Sequence, residues 1–163
     1  MKNSITGHNN LIKYIIFPAM FLLLLAGGAV CLYFLRDRGP KLEETAVAYY
    51  LPNGQVNTDP SEITMPGFET LYMNARTREV DTALPNPEGN PCYFTYQIIM
   101  ADTGEELYST DALEPGTAVR GFVMEKDLEP GSYDIEIRIT TGQLDDYTEP
   151  MNSGTINAIL EVV

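Results

Sequence analysis

"DLEPGSYDIEIRIT", residues 127–140, decides the fold. Tyr133, Ile135, Ile137 and Ile139 point one way, and Asp134, Glu136 and Arg138 the other. This period-two alternation of aromatic and β-branched residues marks a half-buried strand. The tetrapeptide before it, Leu128-Glu129-Pro130-Gly131, also stands fifteen residues earlier as Leu113-Glu114-Pro115-Gly116. Each copy falls between two strand-like stretches. Proline at the second turn position and glycine at the third suit a type II turn, because glycine accepts a positive φ. Fifteen residues is one strand plus one connection, shorter than a solenoid period. The doublet is punctuation in a β fold, not a ligand motif.

The same texture extends on both sides. "FETLYMNA" (68–75) puts Leu71, Met73 and Ala75 on one face. "CYFTYQIIMA" (92–101) does so with Cys92, Phe94, Tyr96, Ile98 and Met100, and "TINAILEVV" (155–163) with Ile156, Ala158, Leu160 and Val162. "EELYST" (105–110) and "TAVRGFVM" (117–124) read as further strands. "TAVAYYL" (45–51) reads as a short strand or a stalk segment. "PNGQVNTDPSE" (52–62), "PNPEGNP" (85–91) and "DTG" (102–104) are turn-rich loops. Asn86, Asp102 and Asp146 are therefore expected at loop positions open to a partner. No stretch after Leu35 shows helical periodicity. About seven short strands in about 100 residues is the count of a β-sandwich.

The second tetrapeptide with its sequel, Leu128-Glu129-Pro130-Gly131-Ser132-Tyr133, resembles the corner between the fifth and sixth strands of fibronectin type III and related immunoglobulin-like domains. The resemblance implies that the Tyr133 hydroxyl bonds back to the corner's backbone and that Leu128 plugs the core. It makes Leu128 the deeper of the two leucines and leaves Leu113 a turn residue. Antibody-type domains are not implied, since the chain has no tryptophan. More widely, "MPGFETLYMNA", "NPEGNPCYFTYQIIMADTGEELYSTDALEPGTAVRGF", "DLEPGSYDIEIRI" and "PMNSGTINAILEV", most of residues 62–163, resemble a group of short single-pass, membrane-anchored β proteins of clostridial-type Gram-positive bacteria. That resemblance carries no established function. It implies an all-β immunoglobulin-like sandwich in the cell envelope.

Ahead of the β region, Tyr14 to Leu35 is a run of 22 uncharged residues. About 20 apolar residues span a bilayer as a helix. Lys13 and Arg36 bracket the run, and Tyr14 and Tyr33 sit where interfacial aromatics gather. The expected organisation is an N-terminal tail (1–13), a transmembrane helix (14–35), a charged stalk and loop (36–61) and an immunoglobulin-like sandwich (62–163). Two processing alternatives stay open: cleavage after Ala26-Gly27-Gly28, against which the apolar run continues, and lipidation of Cys31, against which Val30 is large. Lys2 and Lys13 precede the run while Arg36, Arg38 and Lys41 follow it, so the positive-inside count does not favour an outer C-terminus. The short tail and the β module that follows favour one nonetheless. "LPNG" (51–54) lacks the remainder of a sortase signal.

From Arg36 onward the chain holds eight basic residues against 23 acids, a balance of −15. Such a surface repels phosphates and argues against nucleic acid. The sole histidine, His8, precedes the apolar run, so the β region lacks the histidine of a Ser-His or Cys-His nucleophile system. Cys92 reads as a small core residue. Paired carboxylates alone do not make a glycosidase, and no enzyme activity is expected. Asp102, Glu105 and Glu106, and again Asp145, Asp146 and Glu149, offer oxygens to calcium, but solvated acidic turns are the simpler reading, so no cofactor or metal site is assigned. Of ten tyrosines, Tyr93, Tyr96 and Tyr133 are expected in the core, and Tyr49, Tyr50, Tyr108 and Tyr147 at the surface. The expected function is a non-catalytic, extracytoplasmic interaction module, held in the lipid bilayer by residues 14–35, with a monomeric ectodomain contacting another envelope protein. A binder of cell-wall glycan or host surfaces, and a protease inhibitor, are the alternatives.

Overall fold

The computed structural model describes residues 17–36, 39–52, 54–145, 147, 149 and 151–163. They fall in two compact units, Met1–Gly39 and Pro40–Val163. In the first, helix α1 covers Phe17–Arg36, with Pro18 in the first turn, where its missing N–H costs least. The side chains of residues 18–30 are all exposed. Among the described residues no helix is long and apolar enough to cross a membrane. The expected tail (1–13), the start of the expected span (14–16) and residues 37–38 lie outside the described residues.

The second unit is all β. Its strands are β1 (Val47–Ala48), β2 (Thr70–Met73), β3 (Glu79–Asn86), β4 (Cys92–Met100), β5 (Glu106–Ser109), β6 (Thr117–Val123), β7 (Gly131–Gln143) and β8 (Gly154–Val162). They form one curled sheet in the order β1-β6-β3-β2-β8-β7-β4-β5. Strand β2 is the seam. It meets β3 antiparallel at Met73↔Val80 alone, and runs parallel to β8 over four pairs, Thr70↔Ile159 to Met73↔Val162. Curling brings both arms onto one core: Leu71, Val80, Leu84 and Phe122 cluster with Phe94, Ile98, Ile137 and Leu160. Tyr108 of β5 stacks on Phe122 of β6 with ring centroids 4.3 Å apart, although these strands stand far apart in the sheet order. Tyr96 Oη of β4 donates to Pro85 O of β3 at 2.5 Å, a fully buried bond between the arms.

The strands expected in 68–75, 92–101, 105–110, 117–124, 132–140 and 155–163 appear as β2, β4, β5, β6, β7 and β8. Strand β3 was not expected. A bulge between Val80 and Ala83 breaks its alternation, and Pro85, normally a poor strand residue, lies within it. Residues 40–61, expected as stalk and loop, are built into the β unit. Leu42 bridges Ala112, β1 pairs with β6, and Lys41 Nζ meets Asp111 Oδ2 at 2.6 Å. Glu43 fastens the segment: its Oε1 accepts from Thr45 Oγ1 at 2.6 Å, and its Oε2 accepts from Asp111 N at 3.0 Å.

The two tetrapeptide copies share a sequence and not a conformation. In the first, Thr117 N donates to Glu114 O at 3.2 Å and Gly116 has φ +79°, as a type II turn requires. In the second, Gly131 opens β7 and pairs with Val162. Tyr133 Oη donates to Glu129 O at 2.9 Å, the bond that the resemblance implied. Two expectations are corrected. That bond is exposed rather than buried, because Tyr133 lies half-buried at the corner. Leu113, not Leu128, is the deep leucine. It has no exposed surface and exchanges backbone bonds with Phe94 at 2.8 and 3.1 Å, whereas Leu128 is half-buried.

Leu113→Ala is therefore expected to destabilise the unit by about 2–5 kcal/mol as a core truncation. Leu128→Ala should cost less, about 1–2 kcal/mol by partial burial, and Tyr133→Phe about 0.5–1 kcal/mol for one exposed bond. Denaturant titration ranks the three, and equal losses at the two leucines would refute the burial argument. Glu43 gives a pH test. Partial burial raises its pKa, but the hydrogen bonds from Thr45 and Asp111 outweigh it and hold the group below the usual 4.5. A carboxylate with a lowered folded pKa stabilises above its unfolded value, and the benefit is lost as pH falls through the folded one. Protection of the Asp111 amide, measured against its intrinsic exchange rate at each pH, should fall on acidification below 4.5, and Glu43→Gln should remove that dependence.

Candidate functional site

A cleft of about 590 Å³ opens on the β unit where β2 leaves β3. One wall is the segment around Tyr49, Leu51 and Pro52, the other is Met65 to Phe68, and the floor is Asp81, Thr82 and Ala83 of β3. The floor is the bulged stretch of β3. Facing it on β6, Gly121 takes φ +64°, a conformation that glycine adopts without strain. Phe68 packs edge-on against Tyr96 at 6.2 Å, which ties its wall to the core. Tyr49 N donates to Gly116 O at 2.9 Å, so the turn of the first tetrapeptide holds the other wall.

Both walls are anchored by a chain of three asparagines. Asn86 Nδ2 donates to Cys92 O and Leu113 O, each at 2.9 Å. Its Oδ1 accepts from Asn90 Nδ2 at 2.9 Å. Asn90 Nδ2 also donates to Thr64 O at 3.0 Å, while its Oδ1 accepts from Thr64 N at 2.9 Å and from Asn57 Nδ2 at 3.1 Å. Asn57 Nδ2 donates further to Glu62 O at 2.7 Å, and Asn57 N donates to Glu88 O at 2.8 Å. Asn86 and Asn90 are buried, and a buried amide is tolerated when its donors and acceptors are matched, as here. Gly89 completes the arrangement. Its φ is +84°, and a Cβ there would lie 2.1 Å from Asn57 O.

The sequence-expected residues disperse. Asn86, expected at an open loop position, is fully buried, because its amide serves β3, β4 and the Leu113 segment together. Asp102 lies exposed in the turn after β4, and Asp146 lies outside the described residues. Glu105 Oε1 pairs with Lys126 Nζ at 2.7 Å, while Glu106 accepts hydrogen bonds from Gln97 and Ser109, which hold its carboxyl below the usual range. Glu149 accepts from Gln143 Nε2 at 3.3 Å. Among the described residues no group of three or more His, Cys, Asp or Glu side chains converges as a metal site would require. Cys92 is buried, and burial pushes its thiol up to about 11.

Of the tyrosines expected at the surface, Tyr50 is exposed and Tyr49 lines the cleft. Tyr108 is corrected to a partly buried ring stacked on Phe122, and burial lifts its hydroxyl to about 12. Tyr147 meets Tyr93 edge-on at 6.0 Å. The residues that shape the cleft, Asn57, Asn90, Phe68 and Asp81, were not singled out from sequence. The available signal was the asparagine-rich, proline-rich spacing of "PNPEGNP". A second hollow, about 400 Å³, lies between Glu69, Asp134, Asn157 and Ile159. No protein-family model matches the chain, and no curated protein or solved structure matches it.

Gly89→Ala is expected to push Asn57 aside and free the 52–64 segment, with a loss of about 2 kcal/mol or more from backbone strain and broken bonds. Asn90→Ala leaves the Thr64 backbone groups and Asn86 Oδ1 without this partner, for about 2–4 kcal/mol. Limited proteolysis within 52–64, combined with denaturant titration, checks both. Resistance equal to wild type would show that the asparagine chain does not anchor the walls.

Proposed function

We propose that the chain is a non-catalytic, membrane-anchored interaction module of the cell envelope, with residues 14–35 in the bilayer and an immunoglobulin-like sandwich outside it. The strand order supports the sandwich. Strands β2, β3, β6 and β1 stand as one set and β8, β7, β4 and β5 as the other, matching the grouping of immunoglobulin-like sheets. The Tyr133–Glu129 corner bond supports it independently. The anchor rests on sequence: 22 uncharged residues run from Tyr14 to Leu35, beyond both ends of the exposed stretch 18–30. The likeness to membrane-anchored β proteins of clostridial-type bacteria favours the same location.

One observation carries the interaction reading. The cleft holds an acidic group and hydroxyls that take no partner among the described residues, on a unit with a strong acidic excess. A cleft that gathers a few convergent polar groups among apolar ones is the usual form of a binding site. A second reading, a surface binder of wall glycan, draws on Tyr49 and Phe68 in the cleft walls, since aromatic rings stack on sugar faces.

Alkaline phosphatase fused after Val163 should be active, and a cytoplasmic reporter there silent. The reverse would mean that Arg36, Arg38 and Lys41 set the orientation. In cells, photoreactive side chains at Asp102, Asn157 and Thr82 should capture a discrete envelope protein from at least one position. Capture of wall glycan instead would favour the second reading, and no capture from any position would remove the interaction reading.

A further inference from the structure

Strand β3 is an interior strand with an open flank. It meets β2 at Met73↔Val80 only, and its register with β6 breaks between Val80 and Ala83, so Asp81 and Thr82 have no registered partner on either neighbouring strand. The cleft lies along that flank. The open stretch is short: Pro85 has no N–H, and its carbonyl accepts from Tyr96 Oη. The Asp81 carboxylate and the Thr82 and Tyr49 hydroxyls form no hydrogen bond or ion pair among the described residues. No Lys or Arg lines the cleft.

The geometry points to a peptide-docking cleft that takes an extended segment of a partner protein, with apolar residues flanking one Lys or Arg. This rests on the interaction-module reading and names its site. The segment lies between the Tyr49 and Phe68 walls, borrows the open backbone of Asp81 to Ala83, and sets its cation against Asp81. Extended peptides gain affinity from main-chain bonds and specificity from side-chain slots. An acidic segment is rejected by the unmatched carboxylate and by the surrounding charge. A second copy of this chain does not fit. Edge pairing needs a longer free strand than one closed by a bulge and a proline, and two copies carry the same excess of acid.

The test is selection of random twelve-residue peptides on the full chain in detergent micelles, with the Asp81→Lys chain in parallel. The wild-type chain should enrich peptides with Lys or Arg among apolar residues. A synthesised winner should bind Asp81→Lys about tenfold more weakly, lose affinity with added salt, and cross-link to a photoreactive side chain at Thr82. Both chains should melt at the same temperature, since Asp81 has no partner to lose. Winners without Lys or Arg, equal binding to Asp81→Lys, or no enrichment would each overturn the proposal. If selection fails while probes at Asp102 or Asn157 still capture an envelope protein, the cleft proposal falls and the module reading stands. If capture is lost everywhere as well, both fall.

Discussion

The buried amide contact between Asn86 and Asn90 is the interaction on which the rest of the β unit depends. Asn86 ends β3, yet its side chain reaches the first residue of β4 and the carbonyl of Leu113. Asn90 turns the same chain of bonds outward to Thr64 and Asn57. One matched polar cluster thus joins β3, β4, the connection before β6 and the N-terminal segments. Such a cluster is cooperative in failure: removing one amide leaves several buried groups without partners, and each costs more than an ordinary bond contributes. This explains how an apparent loop, "PNPEGNP", is rigid enough to hold both walls of a cleft.

The cleft follows from how the sheet closes. A curled sheet needs a strand that belongs to both arms, and β2 has that position. It pairs with β8 over four residues but with β3 at Met73↔Val80 alone, so β3 is left without β2 beside it after Val80. The other margins are better protected. Strand β1 has two residues, and at β5 the Leu107 carbonyl accepts from Glu125 N at 2.8 Å. Short or capped edges resist pairing with other chains. The stretch of β3 that β2 leaves uncovered lines the cleft instead of a sheet margin.

How much of this was legible varied with the kind of constraint. Strands β4, β7 and β8 follow burial every second residue, and that period is written in the sequence. The Tyr133 corner was legible from a six-residue pattern because its bond is local. Strand β3 was not, since its bulge shifts the phase of alternation and places Ala83, Leu84 and Pro85 in a continuous shielded run. Residues 40–61 dock through a two-residue strand, one bridge and side-chain bonds from Glu43 and Asn57, which have no periodic signature. The tetrapeptide copies differ for the same reason: strand pairing recruits Gly131, while Gly116 is left free to turn. The cleft joins three separated segments, and only Tyr49 among its residues stood out beforehand.

Charge has a separate role from this architecture. Lys41, Arg78, Lys126 and Arg138 each lie within 3.3 Å of a carboxylate. These pairs are largely exposed, and exposed pairs contribute about 0–1 kcal/mol each. Stability comes instead from the shared core and the asparagine chain, neither of which contains a charged side chain. Asp81 takes no part in these pairs. Screening limits its field to about 8–10 Å at physiological salt. On the proposed reading, charge would select a partner at a residue that forms no bond the fold relies on.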